Sequence, residues 1–117
     1  MDKEPNVRIA YADDDELVRE GVISLLTGLG GISVAILAIH GRDLIEQLER
    51  AAVLPEVIML DISMEEMDGF ETIMVIKDQW PEVKVLVLTG HDNDILAIRM
   101  ISLGANGYLL KAVVPRK

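Results

Sequence analysis

The chain consists of short apolar runs that alternate with longer amphipathic stretches. Each apolar run has the length of a β-strand, and the stretches between them carry apolar residues at helical spacing. This alternation predicts a parallel sheet whose strands are joined by right-handed helical crossovers, which is an α/β fold. The pattern places strands at residues 7–12, 32–39, 57–60, 83–88 and 106–110, and helices at residues 16–27, 42–52, 70–79 and 92–103.

Residues that stop helices support these boundaries. The glycine-rich stretch 28–31 follows the first helix, Pro81 follows the third and Gly104 follows the fourth. The residues at helical spacing are Leu17, Val18, Gly21, Val22, Leu25 and Leu26 in the first helix, Leu44, Ile45 and Leu48 in the second, Phe70, Ile73, Met74 and Lys77 in the third, and Ile95, Ile98, Arg99 and Ser102 in the fourth.

Polar residues stand where four of the predicted strands end. Asp13 and Asp14 adjoin the end of the first strand and Asp61 ends the third, while Thr89 and Lys111 end the fourth and fifth. Because parallel strands bring their carboxyl ends to one edge of a sheet, we expect these side chains to surround a single point.

Three neighbouring carboxylates raise each other's pKa unless a cation neutralises them. Mg²⁺ suits a site of few carboxylates, water and a phosphate. A carboxylate such as Asp61 can also attack phosphorus to form an aspartyl phosphate. Lys111 would add a positive charge and Thr89 a hydroxyl donor to a phosphoryl oxygen. The sequence therefore predicts a Mg²⁺-dependent phosphoryl-transfer site.

Each of these residues also has a simpler interpretation. Residues 13–15 could cap the first helix, and Asp15 is expected to do so. Asp61 could be a solvated turn residue, Thr89 a strand-end hydroxyl and Lys111 a surface lysine. The joint placement of all of them at strand ends favours the site.

Composition narrows the class of protein. The 117 residues form one domain, and the net charge of −9 argues against direct binding of nucleic acid by this segment. Cysteine is absent, which excludes a disulfide framework and a thiolate metal site. The start of the chain has no apolar signal core, and the apolar run at 32–39 is too short to cross a membrane, so we expect a cytoplasmic protein without membrane contact.

The chain resembles the receiver domain of bacterial two-component response regulators. The resemblance covers about residues 5–112, and the stretch 12–21 is most similar to the subfamily that carries a LuxR-type helix-turn-helix output domain. It implies a flavodoxin-like, doubly wound sheet of order 2-1-3-4-5. The motifs that carry it are Ala12-Asp13-Asp14, Leu60-Asp61-Ile62-Ser63-Met64, Met67-Asp68-Gly69, Leu88-Thr89-Gly90 and the stretch 104–111.

The resemblance assigns the phosphoacceptor and the metal ligands. Asp61 matches the aspartate that accepts a phosphoryl group from a histidine kinase. Asp14 matches the direct Mg²⁺ ligand, Asp13 its partner, and Ser63 the residue whose backbone carbonyl binds the metal. The domain would thus be a regulatory phosphoacceptor that catalyses only its own phosphorylation and dephosphorylation.

The resemblance also implies a conformational switch. Thr89 matches the hydroxyl that moves toward the phosphoryl group, Tyr108 the aromatic residue that follows it, and Lys111 the phosphate-binding lysine. Ser63 and His91 match variable positions that set the lifetime of the phosphoryl group. The face formed by the helix 92–103 and the strand 106–110 is expected to bind a homodimer partner, and DNA would be bound only through a downstream domain.

The sequence departs from the family pattern after the site and at its end. Glu65 and Ala112 stand where the family often has proline. Because a cis bond before a residue other than proline is costly, the bond before Ala112 is expected to be trans. Residues 111–117 are too few for the family's fifth helix. We therefore expect residues 1–117 to be a receiver domain truncated at its carboxyl end, with room for an output domain after it.

Two other functions remain open. A receiver-like module could bind partners without phosphorylation, although the intact acidic pair, Thr89 and Lys111 argue against it. A phosphatase of the haloacid-dehalogenase type would also use an aspartyl phosphate. That class needs a carboxylate two residues after the nucleophile, where this chain has Ser63, so it is disfavoured.

Overall fold

The computed structural model describes residues 6–61, 69–89 and 94–110. Strands and helices alternate along these residues, as the sequence predicts. In none of the described helices is there an apolar span long enough to cross a membrane. The elements are β1 (Val7–Ala12), α1 (Glu16–Leu29), β2 (Ile32–Ala38), α2 (Gly41–Arg50), β3 (Val57–Asp61), α3 (Gly69–Gln79), β4 (Lys84–Thr89), α4 (Asp94–Ser102) and β5 (Gly107–Leu110).

The strands form one parallel sheet of order β2-β1-β3-β4-β5. This confirms the predicted fold class and strand order. The register pairs Ala12 of β1 with Leu60 of β3, and Asp61 with Leu88 of β4. The carboxyl ends of the three central strands therefore lie at one edge, and the residues that follow them are neighbours.

Alternate residues of the strands build two apolar layers, one on each face of the sheet. On one face, Ala10 and Ala12 of β1 pack in a large cluster with residues of α2 and α3. On the other face, Ile9 and Tyr11 pack with Val22 and Leu26 of α1. Because the side-chain period of a strand is two residues, consecutive positions of β1 serve opposite layers.

Some helical positions do not face the sheet as the spacing suggests. Leu44, Ile45 and Leu48 are buried as expected. By contrast, Leu17 is 72% exposed and Met74 is 56% exposed, while Thr72 is completely buried on the inner face of α3. The sequence spacing finds the helix but misjudges the edges of its buried face, because the sheet covers only a narrow stripe.

Several boundaries also shift by one or two residues. The second helix ends at Arg50, because Ala51 has extended backbone angles. The first helix continues to Leu29 and stops at Gly30, whose φ of 79° lies in the left-handed region. The strands β3 and β4 have Asp61 and Thr89 as their last residues, one position beyond the predicted apolar runs, and both residues end their strands as expected.

A polar contact fixes the turn between α4 and β5. The Asn106 side-chain oxygen accepts hydrogen bonds from the Val85 backbone N–H at 2.8 Å and from Lys77 Nζ at 3.2 Å. Gly104 has a φ of 117°, and a Cβ there would lie 2.8 Å from Lys77 Cγ. Burial, together with the charge of Lys84, lowers the pKa of Lys77. The turn thus holds the start of β5 against β4.

Candidate functional site

Three carboxylates meet at the carboxyl edge of the sheet. One oxygen from each of Asp13, Asp14 and Asp61 lies within 4.8 Å of the others. Asp13 is fully buried and Asp61 is 2% exposed, whereas Asp14 is exposed. The neighbouring positions of β1 and β3 cause this convergence, since each carboxylate lies at or just beyond the end of a paired strand. The predicted acidic cluster is therefore present.

Hydrogen bonds from nearby residues hold Asp13 in place. The Tyr11 hydroxyl donates to Oδ2 at 2.9 Å and the Asp15 backbone N–H donates to Oδ1 at 2.9 Å. Arg19 Nη1 donates to the Asp13 carbonyl oxygen at 2.8 Å. The Tyr11 and Asp15 donors replace water that the buried carboxylate loses, which is the condition under which such a charge is tolerated, while Arg19 fixes the backbone at this position.

The buried position beside Asp13 changes the pKa of the Tyr11 phenol. Its side chain is completely buried in the layer below α1. Burial is the main reason that the pKa of Tyr11 is raised well above its ordinary value, and the charge of Asp13 and the hydrogen bond to it raise that pKa further. The phenol therefore remains a hydrogen-bond donor to Asp13 throughout the neutral pH range.

The capping interpretation holds for one aspartate of the acidic run. Asp15 Oδ1 accepts hydrogen bonds from the backbone N–H groups of Leu17 and Val18 at 3.0 and 3.1 Å, which makes Asp15 the N-cap of α1 as expected. Asp13 instead accepts the backbone N–H of Asp15 itself. The adjacent acidic residues thus divide into a helix cap and members of the carboxylate cluster.

The donor set of the cluster fits a hard divalent cation. All three side chains offer carboxylate oxygens, which Mg²⁺ prefers to nitrogen or sulfur. Two of the three are buried, where mutual repulsion is screened less than at a surface. Asp13, Asp14 and Asp61 are accordingly the residues that could hold Mg²⁺.

The other predicted site residues are described only in part. The Thr89 backbone pairs with Leu110, so β4 ends beside the residue that precedes Lys111. Tyr108 lies within β5, pairs with Val87 and is 43% exposed. Ser63, His91 and Lys111 lie outside the described residues, as do Glu65 and Ala112.

The sequence analysis missed two residues that support the site. Tyr11 and Arg19 both hydrogen-bond to Asp13. Tyr11 carries a weak signal in the sequence, because a tyrosine in a buried aliphatic strand needs a partner for its hydroxyl. Arg19 gave no comparable signal, since an arginine in the first turns of a helix is ordinarily solvated.

Comparison with known proteins agrees with this geometry. The family model described as "Response regulator receiver domain" matches residues 9–117. The chain is 35% identical over 108 residues to the transcriptional regulatory protein DegU of Brevibacillus brevis, covering 92% of this chain and 45% of that protein. It is 33% identical to the response regulator protein VraR of Staphylococcus aureus, covering 90% of this chain and 49% of VraR. The chain thus spans about half the length of these curated relatives.

Solved structures give the same answer for the fold. The signal receiver domain of the putative response regulator NarL from Mycobacterium tuberculosis superimposes with a TM-score of 0.83 at 33% identity, covering 92% of this chain and 85% of that chain. A LuxR-family two-component response regulator from Aurantimonas shares the fold with a TM-score of 0.84 at 24% identity, covering 92% of this chain and 75% of that chain. From its sheet order, its acidic cluster and these matches, the chain belongs to the response regulator receiver domain family.

Proposed function

We propose that this chain is a phosphorylation-controlled signalling switch. It accepts a phosphoryl group on Asp61 from a histidine kinase in a Mg²⁺-dependent reaction, as the regulatory domain of a cytoplasmic transcriptional response regulator. The observation that carries the proposal is the convergence of Asp13, Asp14 and Asp61 within 4.8 Å at the carboxyl edge of the sheet.

The chemistry assigned to Asp61 is nucleophilic substitution at phosphorus. A carboxylate oxygen forms the new O–P bond while the N–P bond of a phosphohistidine breaks, and the imidazole leaves with the electron pair. Bound Mg²⁺ would neutralise negative charge on the phosphoryl oxygens and on the carboxylates. The burial of Asp61 limits its hydration, and its fixed place at the end of β3 orients it for attack.

Asp13 and Asp14 take different parts in the proposed metal site. Both oxygens of Asp13 already accept a hydrogen bond, from Tyr11 and from the Asp15 backbone. Asp14 is the exposed member of the cluster, which suits the direct ligand, while Asp13 suits a ligand that acts through water. We propose that the Ser63 backbone carbonyl completes the protein ligands.

Three further residues would bind the phosphoryl group or change conformation in response to it. Lys111 pairs with it, Thr89 donates a hydrogen bond, and Tyr108 turns toward the space that Thr89 leaves. Ser63 and His91 would set the rate at which water removes the group. The exposure of Tyr108 in the present structure and its register beside Val87, two residues before Thr89, support this part of the proposal.

The output of the switch would pass through α4 and β5. This face exposes apolar side chains that could pack on a second copy of the chain: Ile98 is 68%, Ile101 45% and Tyr108 43% exposed. A local charge event at Asp61 can bias a two-state element at such a surface. In the longer protein we propose a LuxR-type helix-turn-helix domain as the output, with DNA bound only there.

Phosphorylation by a small donor tests the proposal. Wild type, Asp61→Asn and Asp78→Asn are incubated with acetyl phosphate and Mg²⁺, and intact-mass spectrometry counts phosphoryl groups. Asp78 is an exposed aspartate of α3 and serves as the matched control. We expect one phosphoryl group on wild type and on Asp78→Asn, and none on Asp61→Asn. A labelled Asp61→Asn protein would refute the assignment, and an unlabelled wild type would favour a module that binds partners without phosphorylation.

A further inference from the structure

A second polar site lies at the opposite edge of the sheet. A pocket of about 400 Å³ opens between β1, β2 and the carboxyl end of α2. Its polar lining comes from Arg8, Arg50 and Gln47, and its apolar wall includes Ile36 and Val53. Arg8 precedes Asp13 by five positions, which at the rise of a strand separates the pocket from the acidic cluster by roughly 16 Å.

The Arg8 guanidinium uses little of its hydrogen-bonding capacity within the described residues. Its Nε is buried and has no hydrogen-bond partner there. Its Nη2 donates to the Val53 carbonyl oxygen at 3.4 Å, which is long for such a bond. A buried polar atom that lacks a partner is uncommon and costs free energy, so it needs a physical explanation.

A β-bulge shapes the wall of the pocket. The register of β1 and β2 shifts between Ile9 and Ala10, which pair with Val34 and Ile36 and leave Ala35 without a partner in β1. Bulges bend a strand and redirect its side chains, and they are enriched beside binding sites. Ala35 lines the pocket together with Ala51 and Ala52, whose small side chains leave the space beside Arg8 open.

Capping of α2 explains only part of this arrangement. Arg50 lies in the last turn of α2, where a cation is favoured by the helix dipole, and the Arg8 bond to Val53 reaches the loop just after that turn. Capping does not account for the buried Arg8 Nε or for the concave apolar wall. An anionic ligand would account for the apolar wall and for the two arginines that line the pocket, whereas the buried Nε lies beyond the reach of such a ligand.

We infer that this pocket binds a small organic molecule through a phosphate or carboxylate group. The Nη groups of the planar Arg8 guanidinium can donate to two oxygens of such a group, and Arg50 adds a second positive charge. The apolar wall suits a short hydrocarbon body, and the pocket volume lies in the range of small-molecule sites. Binding here needs neither Mg²⁺ nor Asp61, so the site is separate from the proposed phosphoacceptor.

Binding of inorganic phosphate and phenyl phosphate tests the inference. Isothermal titration calorimetry is carried out at constant ionic strength in the presence of EDTA, which removes divalent cations from the acidic cluster. Wild type should bind phenyl phosphate saturably, and Arg8→Met should weaken binding by at least about tenfold, the loss expected for a charged hydrogen bond. Arg50→Met should weaken it less. Arg42→Met removes the same charge from α2 outside the pocket and should leave the affinity unchanged.

The outcomes distinguish binding at this pocket from non-specific attraction of an anion to arginine side chains. An affinity for inorganic phosphate equal to that for phenyl phosphate would assign the site to free oxyanions rather than to the organic molecule we infer. Equal losses in Arg8→Met and Arg42→Met would overturn the inference, as would the absence of saturable binding in wild type. If Arg8→Met does not fold, Arg8→Lys and Arg50→Met decide, and unchanged affinity in both would overturn it. None of these results bears on labelling of Asp61.

Discussion

The two ends of β1 carry opposite charges, and the two charged groups differ in how completely their polar atoms are hydrogen-bonded. At its carboxyl end, the buried Asp13 carboxylate receives hydrogen bonds from Tyr11 and from the Asp15 backbone. At its amino end, the Arg8 guanidinium keeps a buried Nε without a partner among the described residues. One strand therefore supports a carboxylate whose two oxygens both accept hydrogen bonds and a guanidinium that has one buried atom without a partner among the described residues.

The difference shows how burial of charge can indicate function. Asp13 is locally satisfied, but it shares its site with Asp14 and Asp61, and the proposed function assigns a cation to the cluster as a whole. At the amino end the positive charges of Arg8 and Arg50 line one pocket, and the proposed ligand is an anion. The ligands proposed for the two ends are therefore of opposite sign.

The largest effect on stability should come from the acidic cluster. Mg²⁺ at 100 times its dissociation constant should raise the free energy of unfolding of wild type by about 2.7 kcal/mol. In Asp13→Asn/Asp14→Asn this gain should vanish, and in the metal-free protein the relief of repulsion should offset part of the cost of losing one hydrogen bond to Asp13. Urea unfolding with and without Mg²⁺ measures both quantities. An unchanged gain in the double variant would mean that the metal binds elsewhere.

Removal of the Tyr11 hydroxyl tests how much its hydrogen bond to Asp13 contributes to stability. Tyr11→Phe keeps the buried ring but leaves Asp13 Oδ2 without this donor, which should lower the free energy of unfolding by about 1.5–3 kcal/mol. Tyr108→Phe, at a half-exposed site, is the control and should cost much less. Equal stability of Tyr11→Phe and wild type in urea would show that the hydrogen bond adds nothing.

The same phenol predicts an alkaline limit to stability. The pKa of Tyr11 is raised in the folded state above its ordinary value of 10.0, so the folded protein binds more protons than the unfolded chain above that pH. The free energy of unfolding contributed by Tyr11 is therefore fully present below about pH 10 and decreases as the pH rises further. Denaturant unfolding from pH 8 to 11 should show a steeper decline for wild type than for Tyr11→Phe. Parallel curves would contradict the raised pKa.

Loss of the helix cap should have a smaller effect. Asp15→Ala removes the acceptor of the Leu17 and Val18 N–H groups and should cost about 1 kcal/mol. Glu20→Ala, an exposed change in the same helix, should stay within about 0.5 kcal/mol of wild type. Thermal unfolding compares the two variants, and equal melting temperatures would argue that Asp15 does not cap the helix in solution.

The smallest effect should come from the amino end of β1. In the absence of an anion, Arg8→Met removes a buried polar atom that has no partner among the described residues and keeps the apolar stem, so stability should change by no more than about 0.5 kcal/mol or should rise. Urea unfolding in a buffer free of phosphate and carboxylate makes the measurement. A loss as large as that of Tyr11→Phe would show that Arg8 is structurally satisfied and would remove the contrast.

Much of the fold and the acidic cluster could be predicted from the sequence, because both depend on strand periodicity. Residues at the ends of neighbouring parallel strands must be close, which is why Asp13 and Asp61 meet as expected. The Tyr11 hydrogen bond could not be predicted in this way, since the periodicity treats tyrosine as one more apolar strand residue. The pocket at Arg8 depends on the bulge at Ala35, and a single inserted residue leaves no mark in an aliphatic strand.

Helix ends and faces were the weaker predictions for a related reason. Nothing in the residue types at Ala51 and Ala52 stops a helix, yet the backbone turns extended at Ala51. Leu17 continues the helical spacing but is largely exposed. These features depend on where the tertiary structure ends, which a local pattern does not contain.

The most direct test of the central claim is the dependence of Asp61 phosphorylation on Mg²⁺. The rate of phosphorylation by acetyl phosphate is measured for wild type and for Asp13→Asn/Asp14→Asn while Mg²⁺ is titrated from an EDTA-treated sample. The account predicts a rate for wild type that rises with Mg²⁺ and saturates, and a rate for the double variant that stays low and does not respond. Full-rate phosphorylation of wild type in EDTA, or the same Mg²⁺ dependence in both proteins, would contradict it.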